Sequence, residues 1–205
     1  MIVLVLTARE RVLAEGNANR EILFAGTNVV WGAPTGGYSI SIATVKSNYV
    51  SGEPIEVRIA VKIAGTNNVG LVVCGVRSVY DPQVFTGGKD LPLSVQGAKL
   101  LRYSSVISTS VNYLKPLEVW VESIPYDLSS VFDLSSPGTY EIRFNRVLND
   151  TTGSDVNEPT WEQIKARSAA SETNRVVKPA KWVKVVSNEL TITVVPKKFN
   201  WGWLR

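Results

Sequence analysis

Apolar residues alternate with polar ones through most of the middle and end of the chain, punctuated by short clusters of Gly, Pro, Ser, Asn and Asp. In "GYSISIATV" (37–45) Tyr38, Ile40 and Ile42 alternate with serines and alanine, the period of a half-buried strand. A Ser51-Gly52 turn leads into Ile55, Val57, Ile59, Val61 and Ile63 on one face, with Glu56, Arg58 and Lys62 on the other. That pattern predicts a strand packed on one side only. The run "NNVGLVVCGVRSVYDP" (67–82) is more continuously apolar and predicts a strand central to its sheet.

Residues 85–97, "FTGGKDLPLSVQG", are rich in turn-formers, and "AKLLRYSSVI" after them reads as an irregular strand. Alternation returns in "PLEVWVESIPYDLS" (116–129) through Leu117, Val119 and Val121, with Trp120 on the opposite face. In "FDLSSPGTYEIRF" (132–144) Asp133 and Pro137-Gly138 form a turn that feeds a core strand carrying Tyr140, Ile142 and Phe144 on one side. The segment 149–175 breaks the pattern, and Pro159-Thr160 before "WEQIKARSAA" predicts a short surface helix there. Leu190, Ile192 and Val194 then alternate up to Pro196, which ends the ladder.

Turns at this spacing predict an all-β fold, an immunoglobulin-like antiparallel β-sandwich of about 7–9 strands with one short inserted helix. The expected organisation is an N-terminal extension (1–30), a sandwich domain (31–195) carrying the 149–175 insertion, and an aromatic, basic C-terminal tail (196–205).

Four stretches in order, "SGEPIEVRIAVKI", "LPLSVQGAKLLRYSSVI", "LKPLEVWVESIPYDLSSVFDLSSPGTYEIRF" and "SNELTITV", resemble the immunoglobulin-like sandwich that precedes the catalytic domain of deuterolysin-type and peptidyl-Lys metallopeptidases. Gly52 and Glu53 match the family's opening Gly-Glu strand start. Asp127, Leu128, Ser129, Phe132, Asp133, Leu134, Ser135, Gly138 and Tyr140 match the segment before its central strand. The resemblance spans residues 38–195 and implies a non-catalytic sandwich. The peptidase's zinc helix needs two His in H-E-x-x-H, and this chain has no His, so no peptidase activity carries over. The bacterial intracellular proteinase inhibitors are a looser resemblance of the same sandwich type.

Composition narrows the chemistry. Over 205 residues, 44% hydrophobic content, 20% charged content and six Trp mark an ordered globular chain. Without His, a Ser-His-Asp triad, a Cys-His dyad and an imidazole switch are excluded. The single Cys74 lies in an apolar run and reads as a small buried hydrophobe. Net charge is +4, but Lys and Arg are dispersed, so no nucleic-acid partner is expected. Met1 to Thr7 is apolar, has no cation before it, and is far too short to span a bilayer. Membrane association is therefore not indicated, no targeting signal is complete, and an extracytoplasmic or complex-associated location is the expectation.

The remaining candidates for chemistry read as structure. Asp127 and Asp133, six residues apart, could be a glycosidase pair, but each precedes Leu-Ser, a pattern that closes side-chain-to-backbone turns. Asn149, Asp150, Asp155, Asn157 and Glu158 could offer oxygens to calcium, yet lack EF-hand spacing, so no metal or cofactor is predicted. The tail "FNWGWLR" stands out. Phe199, Trp201 and Trp203, with Arg205, follow the last predicted strand. They either fold back on the sandwich or anchor a protein partner. The expected function is a non-enzymatic structural or accessory subunit that mediates protein-protein assembly. The alternative is a ligand-binding module, either carbohydrate-binding or inhibiting a protease through Lys89 or the 149–158 loop.

Overall fold

The computed structural model describes residues 24, 29–73, 79–103, 110–149 and 181–197. Strands β1 (Tyr38–Ala43) and β3 (Glu56–Ile63) pair antiparallel, with Tyr38 opposite Ile63 and Ala43 opposite Arg58. All three apolar residues expected of β1 are buried, as are Ile55, Val57, Ile59, Val61 and Ile63. Ser39 and Ser41 are buried too, so β1 is covered on both faces rather than one.

Between β1 and β3 the chain changes sheet. Strand β2 (Asn48–Val50) runs parallel to β12 (Leu190–Val195), with Val50 opposite Val195. Strand β12 pairs with β10 (Gly138–Asn149), which pairs with β5 (Tyr80–Thr86), and β5 with β6 (Lys89–Asp90), so the second sheet is ordered β2-β12-β10-β5-β6. Tyr140, Ile142 and Phe144 project from β10 into the core, as their alternation predicts.

Several strands are one path interrupted. β11 (Trp182–Val186) and β12 lie along the two halves of β10, separated by Ser187, Asn188 and Glu189. At this break the Asn188 side chain imitates a strand. Its Oδ1 accepts from Ile42 N–H at 2.7 Å and its Nδ2 donates to Ile42 C=O at 3.2 Å, closing the outer edge of β1. Strands β7 (Ser110–Leu114), β8 (Val119–Val121) and β9 (Tyr126–Asp127) form another broken path. It lies along β4 (Val69–Val73) and β3. Joining β3 to β4, β7 to β8 and β9, and β11 to β12 leaves eight paths among the described residues. The fold is thus an all-β sandwich of the expected size.

Two expectations are corrected. β4 is not central: among the described residues it pairs with β7 alone, in a two-stranded ribbon. Val69 and Leu71, on one face of it, are buried. The "AKLLRYSSVI" stretch is not a strand either, because α1 (Val95–Tyr103) occupies its first part. Ser94 caps this helix, its Oγ accepting from Gly97 N–H at 2.9 Å. The predicted helix at 161–170 lies outside the described residues.

Gly97, an unfavourable residue inside a helix, explains both the misreading and the packing. A Cβ built there falls 2.0 Å from Val131 O, so only Gly lets α1 lie on the backbone after β9. Gly97→Ala is expected to lower stability by about 1–3 kcal/mol through this overlap, despite the better helix propensity of Ala. A urea titration showing a gain would sink that account.

Candidate functional site

The carboxylates of Asp127 and Asp133 sit in different surroundings. Asp133 is a turn residue: its Oδ1 accepts from Ser135 N–H at 3.1 Å and Ser135 Oγ–H at 2.6 Å. The Ser135 hydroxyl, then the Ser135 backbone N–H, hold its carboxyl below the ordinary value. A general acid needs the opposite shift. Asp127 behaves differently from expectation. Its side chain caps nothing; instead Ser130 Oγ donates to Asp127 C=O at 2.7 Å to close the turn.

These turns line a groove of about 570 Å³ bordered by Glu53, Ser94, Leu100, Ser129, Phe132 and Asp133 among others. Ser129 Oγ accepts from Ile55 N–H at 2.8 Å, and Ser94 Oγ is held by its cap. Each of these two hydroxyls thus has one lone pair occupied and its proton left to donate. Glu53 carries charge at the rim, its pKa lowered first by a side-chain hydrogen bond from Lys46 and then by Val50 N–H.

A second cluster is buried and escaped sequence reasoning. Glu122, just past β8, meets Tyr80 of β5 and Arg146 of β10 between the two sheets. Tyr80 Oη donates to Glu122 Oε1 at 2.8 Å, and Arg146 Nη1 donates to Tyr80 Oη at 2.8 Å and to Glu122 Oε1 at 3.2 Å. The guanidinium also lies 4.9 Å from the Tyr80 ring centroid. Burial pushes the Tyr80 phenol well above its ordinary value, and the nearby Arg146 charge opposes the rise. The phenol therefore stays protonated and the triad works as a buried tie between sheets. A cavity of about 210 Å³ beside it is walled by Arg146, Tyr38, Val79, Leu148 and Trp182. Its single cation is already bonded to Glu122 and Tyr80.

The signal for this cluster was the parity of β8. Trp120 sits opposite buried Val61 and packs against the core, while Val119 and Leu117 are exposed. Two residues beyond Trp120, Glu122 is carried to the same inward face.

Exposed apolar side chains are scattered over the described surface, Val45 and Val95 among the most exposed, and two groups of them lie on β10–β11 and around β8. On β11 Trp182 is 63% exposed, and the same face bears Val186 and, from β10, Val147 at 59%. Around β8, Leu117 is 74% and Ile124 65% exposed. Lys89 is exposed and sits in the β5–β6 hairpin opposite Thr86, directly after Gly87 and Gly88 at positive φ. That tight turn holds it in a two-residue strand pair.

Phe199, Trp201, Trp203 and Arg205 lie outside the described residues, as do Cys74 and 150–158. Among the described residues, no group of three or more His, Cys, Asp or Glu could hold a metal ion. No helix among them is long and apolar enough to cross a membrane. No protein-family model, curated protein or solved structure matches the chain.

Proposed function

We propose that the chain is a non-enzymatic subunit that joins protein partners in a larger assembly. The observation that carries this reading is the outer face of β10 and β11, where Trp182, Val147 and Val186 stand in water on regular strands. Leaving a large apolar side chain exposed forgoes about 1.5–3 kcal/mol relative to burial, and aromatic anchors of this kind are what interfaces bury. The tail residues Phe199, Trp201, Trp203 and Arg205 belong to the same proposal as partner-binding groups. An immunoglobulin-like classification belongs to it as well, supported by the change of sheet from β1 to β2 and the parallel β2–β12 pair.

Native particle mass tests the reading. The full chain is expected to sediment above its monomer mass, and Trp182→Ser to lower that mass without moving the melting temperature. Deleting 197–205 is expected to weaken assembly and leave the sandwich folded. Unchanged mass with a large drop in melting temperature would assign the tail to the domain's own core.

The groove beside α1 favours a second reading, a ligand-binding module for neutral saccharides. Its Ser94 and Ser129 hydroxyls offer donors and its Asp133 carboxylate an acceptor. Calorimetric titration with neutral oligosaccharides, repeated on Ser129→Ala, decides it; no heat with the wild-type chain removes the reading.

A further inference from the structure

Strand β12 hands the chain on beside the groove next to α1. Val195 C=O accepts from Ser51 N–H at 2.8 Å, and Ser51 Oγ donates to the C=O of Ser135 on the border of the groove. One residue thus ties the end of the last described strand to the wall of a space of about 570 Å³. Gly52, the next along, also borders it, and at its φ of 84° a Cβ built there meets nothing within 4 Å. Val195, Pro196 and Lys197 are exposed, so the chain leaves β12 over an open rim.

The groove offers two kinds of group to a peptide. Leu100, Phe132 and Leu134 give it apolar lining, and the charged side chains that border it among the described residues, Glu53 and Asp133, are both acidic. Lys46 pairs with Glu53. Asp133 bonds instead to the neutral N–H and hydroxyl of Ser135 and makes no ion pair among the described residues. The groove therefore favours a ligand that brings both apolar rings and a positive charge.

The residues that follow in the chain supply both. Lys198 to Arg205 is a stretch of eight residues, whose extended reach of about 26–29 Å is ample to cross a groove of this size. Alternate residues of an extended peptide share a face, which puts Phe199, Trp201 and Trp203 on one side. Lys197, Lys198 and Arg205 flank the three rings, and no Asp or Glu occurs from 197 to 205.

We propose that the groove beside α1 is a peptide-binding cleft whose occupant is the chain's own segment 198–205, its rings against Leu100, Phe132 and Leu134 and a cation beside Asp133. Removing the rings from water drives the contact. Attachment selects the chain's own groove over that of a second copy, because an entry point one residue away gives an effective concentration of the order of millimolar, which a second chain in dilute solution does not match. This docking does not rest on the assembly reading. A partner that takes Trp201 and Trp203 takes them from the groove, so its apparent affinity scales with the fraction of chains whose tail has left.

Disulfide trapping in the full chain tests the proposal, with Cys74→Ala removing the native thiol and a melting curve checking the fold of each sample. Leu204→Cys is combined either with Gln96→Cys, on the α1 side of the groove, or with Val45→Cys, 76% exposed between β1 and β2. A docked tail is expected to give roughly fivefold or more intrachain disulfide at Gln96 than at Val45, and Trp201→Ala with Trp203→Ala to erase the difference. Equal yields at the two sites, or a Gln96 yield that survives loss of both indoles, overturn the inference. A disulfide formed only between chains also overturns it, in favour of a second copy's tail, and leaves the assembly reading in place.

Discussion

Glu122→Ala is expected to destabilise the fold by about 3–5 kcal/mol, because it leaves the Arg146 guanidinium buried without its counter-charge. Both partners are almost wholly enclosed, with 2% and 5% of their side-chain surfaces accessible, so water cannot take over the lost bond. Tyr80 loses its acceptor at the same time. Urea denaturation of the single variant measures the loss, and a double replacement by Leu at 122 and Met at 146 supplies the control. Removing both charges with apolar groups of similar volume is expected to return most of the stability. A double variant as weak as the single one would show that the tie acts through shape rather than charge. The raised Tyr80 pKa adds a pH signature. Burial of the neutral phenol contributes fully below the unfolded value near 10, and that contribution is lost as pH rises toward the higher folded value. The wild-type chain is expected to lose stability in that alkaline window, and Tyr80→Phe to flatten the loss.

The second large effect is expected at Phe144. Its side chain is fully buried on β10 between two edge-on rings, Tyr126 at 4.9 Å and Tyr80 at 6.4 Å between centroids. Phe144→Ala removes the ring that both sheets pack against and opens a cavity that rigid strands cannot close, so a loss of about 3–5 kcal/mol is expected. Phe144→Leu keeps most of the volume and is expected to lose less. A loss below about 1 kcal/mol for the Ala variant would contradict the central place of Phe144 in the core.

Strict alternation made the core strands legible in the sequence. Ile55 to Ile63 and Tyr140 to Phe144 keep their parity without a break, and every apolar residue in these rows is buried. The reading failed where local preference and packing disagree. Gly97 argues against a helix, but its contact with Val131 is what the helix needs. The run 67–82 reads as one strand but contributes to two, β4 and β5, and Pro82 lies within β5 opposite Phe144. In β8 three of the four relevant apolar residues are aliphatic and suggest an inward face, while the one that points inward is Trp120. Glu122 follows that parity, so the buried triad was hidden by the same inversion. Its partners lie 42 and 24 residues away along the chain, and no local pattern connects them.

The parallel pairing of β2 with β12 also decides how the sandwich answers a pull. The chain enters through β1 and β2 and leaves through β12, so tension applied on the two sides draws these strands in opposite directions along their shared axis. The ladder bonds from Asn48–Thr193 to Val50–Val195 lie across that axis and are sheared together, with Ser51 N–H to Val195 C=O and Thr193 N–H to Ser47 C=O extending the row. An antiparallel hairpin pulled at its open end unzips one bond at a time; this pair has no such sequence of weak steps. A sandwich built this way resists such a pull until the whole row gives way at once.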